Sequence, residues 1–302
     1  MTNKLRLLTF FTCVSCIFVT TTFAYSTIIT VNSFSKIQKL IQKNKKPHHL
    51  LLALDDDDTL TMMPCPSEKP TRCQYVGGPS WFSWQAALPA NNPDRIWKTF
   101  PQLLGIANLL YSSTNMLLAD PLIPETLKTA DKLGVTTMIV TDRGYRMVEA
   151  TESEFNHDRI LNLIQKGAIE TPMHHISFPG FYFPAQWDKK AVRHIAYVHG
   201  TLYVAGQNKG EMIKQFLEKT NETHRIQQII FVDDTLNNVV DVANIYKNDP
   251  RVNAICIHFT RLAKIKQAFF KGKYAKQYQA MANKQWYAIR DALHKNLLGS
   301  AY

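Results

Sequence analysis

The sequence shows no internal repeat and no low-complexity tract, which excludes a solenoid, a propeller or a long disordered linker. Its N-terminal apolar run, residues 7–19, is too short to span a bilayer comfortably, and no charged stop follows it. Cysteine is scarce, with five in 302 residues. Cys13 and Cys16 fall in that apolar run, so Cys65, Cys73 and Cys256 remain for the folded body. Acidic side chains almost vanish at the end of the chain, where residues 261–302 hold nine lysines and arginines against the single acid Asp291. No recognisable nucleic-acid-binding motif accompanies that charge, so no nucleic-acid partner is expected.

At 45% hydrophobic residues the chain can bury a substantial core, and the expectation is one α/β domain with an inserted segment rather than two independent domains. Lys4 and Arg6 precede the apolar run, and Thr22-Phe23-Ala24 follows it as a small-x-small cleavage pattern. Residues 1–24 read as a secretory signal peptide, with an uncleaved anchor as the alternative, so the expected location is exported, periplasmic or secreted. Its removal takes the formal charge from +11 to +9. Disulfides persist outside the cytosol. Cys65 and Cys73 flank a proline-rich loop, and a bridge there would stabilise it by ~2–3 kcal/mol in the loop-entropy model. Cys256 lies in an apolar run and reads as a buried strand thiol.

Along the chain, residues 33–42 carry Phe34, Ile37, Leu40 and Ile41 on one helical face. A region without βαβ rhythm follows, holding Trp81, Phe82 and Trp84 and then a helical stretch over residues 94–118 broken near Pro101. The rings either line a pocket or form that region's own core. Regularity returns with a helix over 125–133 ending at Gly134, a strand over 135–140, and helical spacing over 147–166. Two strands around His199-Gly200, a helix from Lys209 to about 219, a strand over 226–232, a helix over 236–247 and a strand over 252–258 complete an alternating α/β pattern.

The most informative stretch is Leu51, Leu52, Ala53 and Leu54, which run into Asp55, Asp56, Asp57 and Asp58 and then Thr59. This reads as a buried parallel strand that delivers acids to the carboxyl edge of a sheet. Like charges so close repel, so a cation belongs among them, and Mg²⁺ is the usual hard ion where phosphate is also bound. Plainer readings are a solvated acidic loop or a loose calcium site. Asp55, Asp57 and Asp58 also resemble the acid motif of protonation-initiated terpene cyclases, but those enzymes are helical where residues 51–54 read as a strand.

An apolar strand followed by Asp55-x-Asp57-x-Thr59 resembles the first motif of the haloacid dehalogenase (HAD) superfamily. Three further elements stand in that superfamily's order. Thr141, at a strand end, matches the second motif, whose hydroxyl and backbone donor hold a phosphoryl oxygen. Lys209, at a helix start, matches the basic third motif, and Asp233 and Asp234 after an apolar strand match the fourth, which completes a metal shell. The resemblance covers about residues 51–258. It implies a Rossmann-like parallel sheet flanked by helices, with a flap or cap inserted after the first strand at about 61–120, where no superfamily motif falls. More narrowly, the tryptophan-rich flap, Thr141-Asp142-Arg143, Asn208-Lys209-Gly210 and Asp233-Asp234 with Asn237-Asn238-Val239 are similar to an exported bacterial HAD-like family of unassigned function.

The resemblance implies that Asp55 attacks phosphorus to form an aspartyl-phosphate, while Asp57 protonates the leaving alcohol and then takes a proton from water. Mg²⁺ on Asp55, Asp57, Asp233 and Asp234, together with Lys209, would offset the repulsion between nucleophile and phosphate. A carboxylate at the Asp57 position marks the superfamily's phosphatases and phosphotransferases, so the expected substrate is a small phosphomonoester. The alternative is a non-catalytic HAD-fold protein that holds a phosphorylated ligand or an anionic partner; retention of both Asp55 and Asp57 argues against it. Asp56 and Asp58 depart from the pattern, which commonly has an apolar residue and a small one there. Asp58 either turns outward or recruits a second cation. Asp142 and Arg143 read as a loop ion pair, with a substrate contact by Arg143 as the alternative.

The basic end, residues 261–302, interleaves Phe269, Phe270, Tyr274, Tyr278, Trp286 and Tyr287 at roughly helical spacing. This predicts a docked pair of helices with Phe269, Phe270, Trp286 and Tyr287 partly buried and a solvated basic face. The alternative is a weak contact with an anionic membrane surface or polyanion.

Overall fold

A computed structural model describes residues 25–66, 69–171, 181–184, 194–297, 299 and 301; the expected signal peptide and part of the loop between Cys65 and Cys73 lie outside them. The first half of the chain gives β1 (Ser26–Val31), α1 (Phe34–Gln42), β2 (Leu50–Leu54), β3 (Thr61–Met62), α2 (Pro79–Ala87), α3 (Phe100–Ser112) and β4 (Leu117–Leu118). Then come α4 (Ile123–Leu133), β5 (Thr136–Thr141), α5 (Val148–His157), α6 (Leu161–Lys166), β6 (Phe181–Pro184), β7 (His194–Val198) and β8 (Thr201–Tyr203). The chain ends through α7 (Lys209–Lys219), β9 (Gln228–Asp233), α8 (Leu236–Tyr246), β10 (Asn253–Phe259), α9 (Ala263–Lys271) and α10 (Ala275–Asn296).

Every residue of β2 and β5 is buried, and all but the first of β9. Strands with no polar face fit only a sheet covered on both sides. They pair in parallel with β2 central, Leu54 lying opposite Val232 of β9 and Ile139 of β5. The eight-stranded sheet runs β1-β10-β9-β2-β5-β8-β7-β6, parallel from β1 to β8 with β7 and β6 joined antiparallel. Alternate residues of β2 serve opposite layers. Leu50, Leu52 and Leu54 share a core with Phe34 and Ile37 of α1 and Ile123 and Leu127 of α4. Leu51 and Ala53 share the other with Met212 and Phe216 of α7 and Val239 and Val242 of α8. This three-layer packing sets the carboxyl ends of β9, β2 and β5 side by side, where ligands bind in open α/β sheets. Among the described residues, no helix is long and apolar enough to cross a membrane.

The stretch between β2 and β5 packs onto the C-terminal helices. Tyr75 stacks on Tyr278 at 5.3 Å and meets Phe269 at 4.8 Å, while Trp84 meets Phe269 edge-on at 5.9 Å. Trp81 and Gln85 both donate to Asn283 Oδ1, at 3.1 and 3.0 Å, and Asn283 Nδ2 donates to the Asp94 carbonyl at 2.7 Å. Trp81 and Trp286 are fully buried, while Trp84 and Phe82 are partly buried against the core. Phe269 is buried as well, and Phe270, which meets it edge-on at 5.6 Å, is 39% exposed. Cys65 and Cys73 form a disulfide, and Cys256 is a buried free thiol.

Several boundaries differ from the sequence reading. The edge strand β1 was not expected; four of its six residues are exposed, so it lacks the apolar density that marks β2. The helix expected over 94–118 is α3 alone, because Pro101 lies in its first turn, where its missing N–H is not needed. The spacing over 147–166 is split between α5 and α6 at Arg159, whose φ of +59° no helix accommodates. A prediction follows from the Asn283 junction. Asn283→Ala leaves the Trp81 and Gln85 donors without their acceptor and should cost about 1–3 kcal/mol, read as a lower melting temperature of the protein; an unchanged value would remove the junction's role.

Candidate functional site

Asp55 is the first residue beyond β2, and its N–H still donates to the Val232 carbonyl at 2.8 Å, so the sheet itself fixes its backbone. Its buried carboxylate takes the Lys209 ammonium on Oδ1 at 2.5 Å and the Thr59 hydroxyl on Oδ2 at 3.1 Å. Lys209 opens α7 behind the N-cap Asn208, whose side chain accepts from the Glu211 N–H. Its ammonium makes a second bond, to Asp233 Oδ2 at 2.8 Å. Gly210 permits this placement: a Cβ there would stand 3.0 Å from Val242 Cα and 3.1 Å from the Asp241 carbonyl, so α7 can approach α8 closely only with glycine.

Asp233, at the end of β9, is held by the Thr235 N–H at 2.8 Å and by Asn238 Nδ2 at 3.1 and 3.3 Å. The Asp234 N–H donates to Thr59 Oγ1 at 3.0 Å, so one hydroxyl ties the loop after β2 to the loop after β9. Carboxylate oxygens of Asp55, Asp233 and Asp234 lie within 4.8 Å of one another, a donor set that could hold a hard cation. Thr141 ends β5 next door, fully buried, with Oγ1 accepting from the Arg143 N–H at 3.2 Å.

Asp57 belongs to a different cluster. Arg143 grips it with two bonds, Nη2 to Oδ1 at 2.7 Å and Nε to Oδ2 at 3.0 Å. The same guanidinium donates through Nη1 to Glu154 Oε2 and Thr151 Oγ1, both at 2.9 Å, and lies 4.1 Å over the Tyr111 ring. It also stands 3.1 Å from Asp56 Oδ2, outside hydrogen-bond geometry, while Thr61 donates to Asp56 Oδ1 at 2.9 Å. Asp57 was expected among the metal ligands; its carboxylate lies outside the Asp55, Asp233, Asp234 group, and the buried Arg143 binds both its oxygens. The reading of Arg143 as an ion-pairing residue holds, but its partners are Asp56, Asp57 and Glu154 rather than its neighbour Asp142, which is exposed and accepts from Asn238 at 3.4 Å.

A third cation comes from the basic C-terminal segment. Lys266 of α9 pairs with Asp234, and Asp58 Oδ2 lies 3.7 Å from the same ammonium. Asp58 therefore turns inward, to a cation supplied by the protein. Lys266, Glu154 and Tyr111 were not singled out from the sequence. Glu154 and Thr151 left a signal, two polar residues three apart on the buried side of α5; Lys266 left none beyond its place in a run of cations.

Burial and the neighbouring Asp233 hold Asp55 well above the usual carboxylate range, against the pull of Lys209. Burial likewise raises Asp56 and Glu154, with Arg143 opposing. Asp233 is pushed up to about 6 and Asp58 to about 7, in both cases chiefly by burial and against a lysine. Burial disfavours the charge on Lys209, but Asp233 and Asp55 more than offset this and hold its ammonium above its ordinary range. The arrangement is short of positive charge, and a bound cation would relieve it.

A family model described as a protein of unknown function (DUF2608) matches residues 30–298. The chain belongs to the DUF2608 family. No curated protein and no solved structure matches it. Every site residue named above falls inside the DUF2608 match, as do α9 and α10.

Two predictions arise from the charge pairing. Arg143→Leu leaves Asp56, Asp57 and Glu154 without their shared cation and should destabilise the protein by about 3–5 kcal/mol; a denaturant midpoint within error of wild type would refute the pairing. The second concerns pH. Asp58 has a folded value near 7, above its unfolded value near 4, so its stability contribution is fully present below about 4 and is lost as pH rises through about 7. Asp58→Asn suits the left-handed backbone there, at φ +62°. Its melting temperature should gain on that of wild type between pH 5 and pH 8, and parallel profiles would contradict the shift.

Proposed function

We propose that this DUF2608 protein is an exported, Mg²⁺-dependent phosphatase of the HAD type, which cleaves a small phosphomonoester through an aspartyl-phosphate on Asp55. The observation that carries the reading is the grouping of Asp55, Asp233 and Asp234, with the Lys209 ammonium bound to both Asp55 and Asp233. Phosphoryl transfer asks a protein mainly for positioning and charge neutralisation, and a fixed carboxylate beside a fixed cation offers both.

Three carboxylates crowded with oxygen donors fit a hard divalent cation rather than a soft one. Asp55, Asp233 and Asp234 would hold it, and when bound it supplies positive charge against the phosphate oxygens. The remaining work falls to this chain. An Asp55 oxygen bonds to phosphorus as the bond to the leaving alcohol breaks, and Asp57 gives that alcohol its proton. Water then attacks the acyl-phosphate, Asp57 takes the water's proton, and inorganic phosphate leaves with Asp55 restored. Arg143 holds both Asp57 oxygens, so one of those bonds must release for a proton to move. Lys209 offsets the repulsion between Asp55 and the incoming anion, and the Thr141 hydroxyl at the end of β5 would hold a phosphoryl oxygen. The insertion acts as a cap that walls the site, since Tyr111 of α3 and Met116 both meet Arg143.

The non-catalytic alternative accounts less well for Asp55. A pocket that only bound a phosphorylated ligand would favour cations at its floor, not a buried carboxylate. The mature protein should hydrolyse a member of a panel of phosphomonoesters with Mg²⁺ and not after chelation. Asp55→Asn should abolish turnover with the fold intact, because an amide cannot form the acyl-phosphate, and Asp57→Asn should slow it by ~10²–10⁴-fold. Undiminished hydrolysis by Asp55→Asn would overturn the mechanism; binding of a phosphate ester without turnover by wild type would favour the alternative.

A further inference from the structure

Lys209 and Lys266 both stand on the Asp55, Asp233, Asp234 group, but on different terms. The Lys209 side chain is 1% exposed, and its ammonium bridges two members of the group, Asp55 and Asp233, so it is part of the frame. Lys266 reaches in from α9 with its side chain 28% exposed, and the member it pairs with is Asp234. It binds Asp234 Oδ2, while the Thr235 hydroxyl donates to Oδ1 at 3.3 Å, so both oxygens of this carboxylate are engaged. A divalent ion entering the group therefore meets a charge that the protein has already placed there.

A second acceptor for Lys266 lies outside the group. Asp58 Oδ2 is 3.7 Å from the same ammonium. The turn holds Asp58 in place, with φ at +62° and its N–H donating to the Thr61 carbonyl at 2.8 Å. The Asp58 and Asp234 side chains are only 10% and 7% exposed, so leaving either charged and unpaired is costly. Two shielded carboxylates thus share one ammonium, and only one of them belongs to the cation group.

We infer that Lys266 is a resident counter-ion that competes with the divalent cation for Asp234, and that Asp58 receives its ammonium when the cation enters. The arrangement keeps Asp234 matched in the cation-free protein and Asp58 matched in the loaded one. Lys266 is then a positioning residue for the cation site, not a catalytic one. The inference rests on the metal site of the phosphatase reading, but not on turnover.

The test titrates Mg²⁺ and Mn²⁺ by calorimetry into chelator-stripped protein at pH 8. The proteins compared are wild type, Lys266→Gln, Lys266→Arg, Asp58→Asn and the double variant of Lys266→Gln with Asp58→Asn, with melting temperatures to confirm folding. Lys266→Gln keeps a donor for the carboxylates without the charge, and should bind the ions about tenfold tighter or more, the scale on which one adjacent charge shifts a carboxylate's proton affinity. Lys266→Arg keeps the charge and should bind no tighter than wild type. Asp58→Asn leaves the ammonium no second partner and should weaken binding about fivefold, a loss that should vanish in the double variant, where no ammonium remains to move. Lys266→Gln binding no tighter than wild type overturns the proposal. So does an equal Asp58→Asn loss in both backgrounds, which would make Asp58 merely a nearby charge. If Lys266→Gln does not fold, Asp58→Asn decides: weaker binding supports the handover, and unchanged or tighter binding overturns it. Ion binding by Lys266→Gln where wild type shows none supports the competition. No binding by any of the proteins means that the metal reading has failed, and the proposal falls with it.

Discussion

Everything at the carboxyl edge of the sheet follows from the burial of too many carboxylates. Asp55, Asp56, Asp57, Asp58, Glu154, Asp233 and Asp234 crowd a region where Lys209, Arg143 and Lys266 are the cations that pair with them. Were all seven acids ionised, four negative charges would stay unmatched, most of them out of water. A protein can respond by keeping some acids protonated or by admitting another cation. Burial, which pushes Asp58 up to about 7 and Asp233 to about 6, favours the first response. The oxygen cluster of Asp55, Asp233 and Asp234 is where the second can act.

The three cations come from three parts of the chain, and this couples the site to the fold. Lys209 arrives on the first turn of α7, Arg143 two residues past β5, and Lys266 on α9 after the last strand. Tertiary packing has to be complete before all the carboxylates have partners, since an unpaired buried charge is far costlier than a lost surface contact. The stretch between β2 and β5 takes part by placing Tyr111 against the Arg143 guanidinium, and it is in turn locked to α10 through Trp81, Gln85 and Asn283. The C-terminal helices are thereby built into the domain, with Trp286 and Phe269 fully enclosed.

Much of this could be read from residues in order because the features were local. Five consecutive buried residues in β2 with acids immediately after, and a helix opening at Lys209 behind a capping Asn208, are signals a few residues long. They located Asp55, Lys209, Asp233 and Asp234, which the fold brings together. Thr141 was located in the same way, at the end of the neighbouring strand. The partner of Asp57 could not be foreseen, because it lies eighty-six residues away, in the loop after β5. Nothing in Asp55-x-Asp57 reveals that an arginine will claim the second acid. Likewise β1 was missed because an exposed edge strand carries little of the apolar pattern that burial imposes on central strands.

Lys266 and Asp58 illustrate a harder limit. In a segment with nine cations and one acid, a single inward lysine leaves the composition unchanged, so the run reads as a solvated face whether or not one member turns in. Asp58, considered alone, reads as a misfit where a small residue is usual. The turn explains part of it: the Asp56 carbonyl accepts from the N–H groups of Thr59, Leu60 and Thr61, at 3.0, 2.8 and 3.1 Å, and the tight loop drives Asp58 to φ +62°, a conformation aspartate tolerates better than most residues. The same conformation brings its carboxylate within 3.7 Å of the Lys266 ammonium. The two anomalies therefore account for each other, an acid admitted by the turn and a lysine drawn out of the basic segment to meet it, and together they bind the last helical pair of the fold to the loop that follows its central strand.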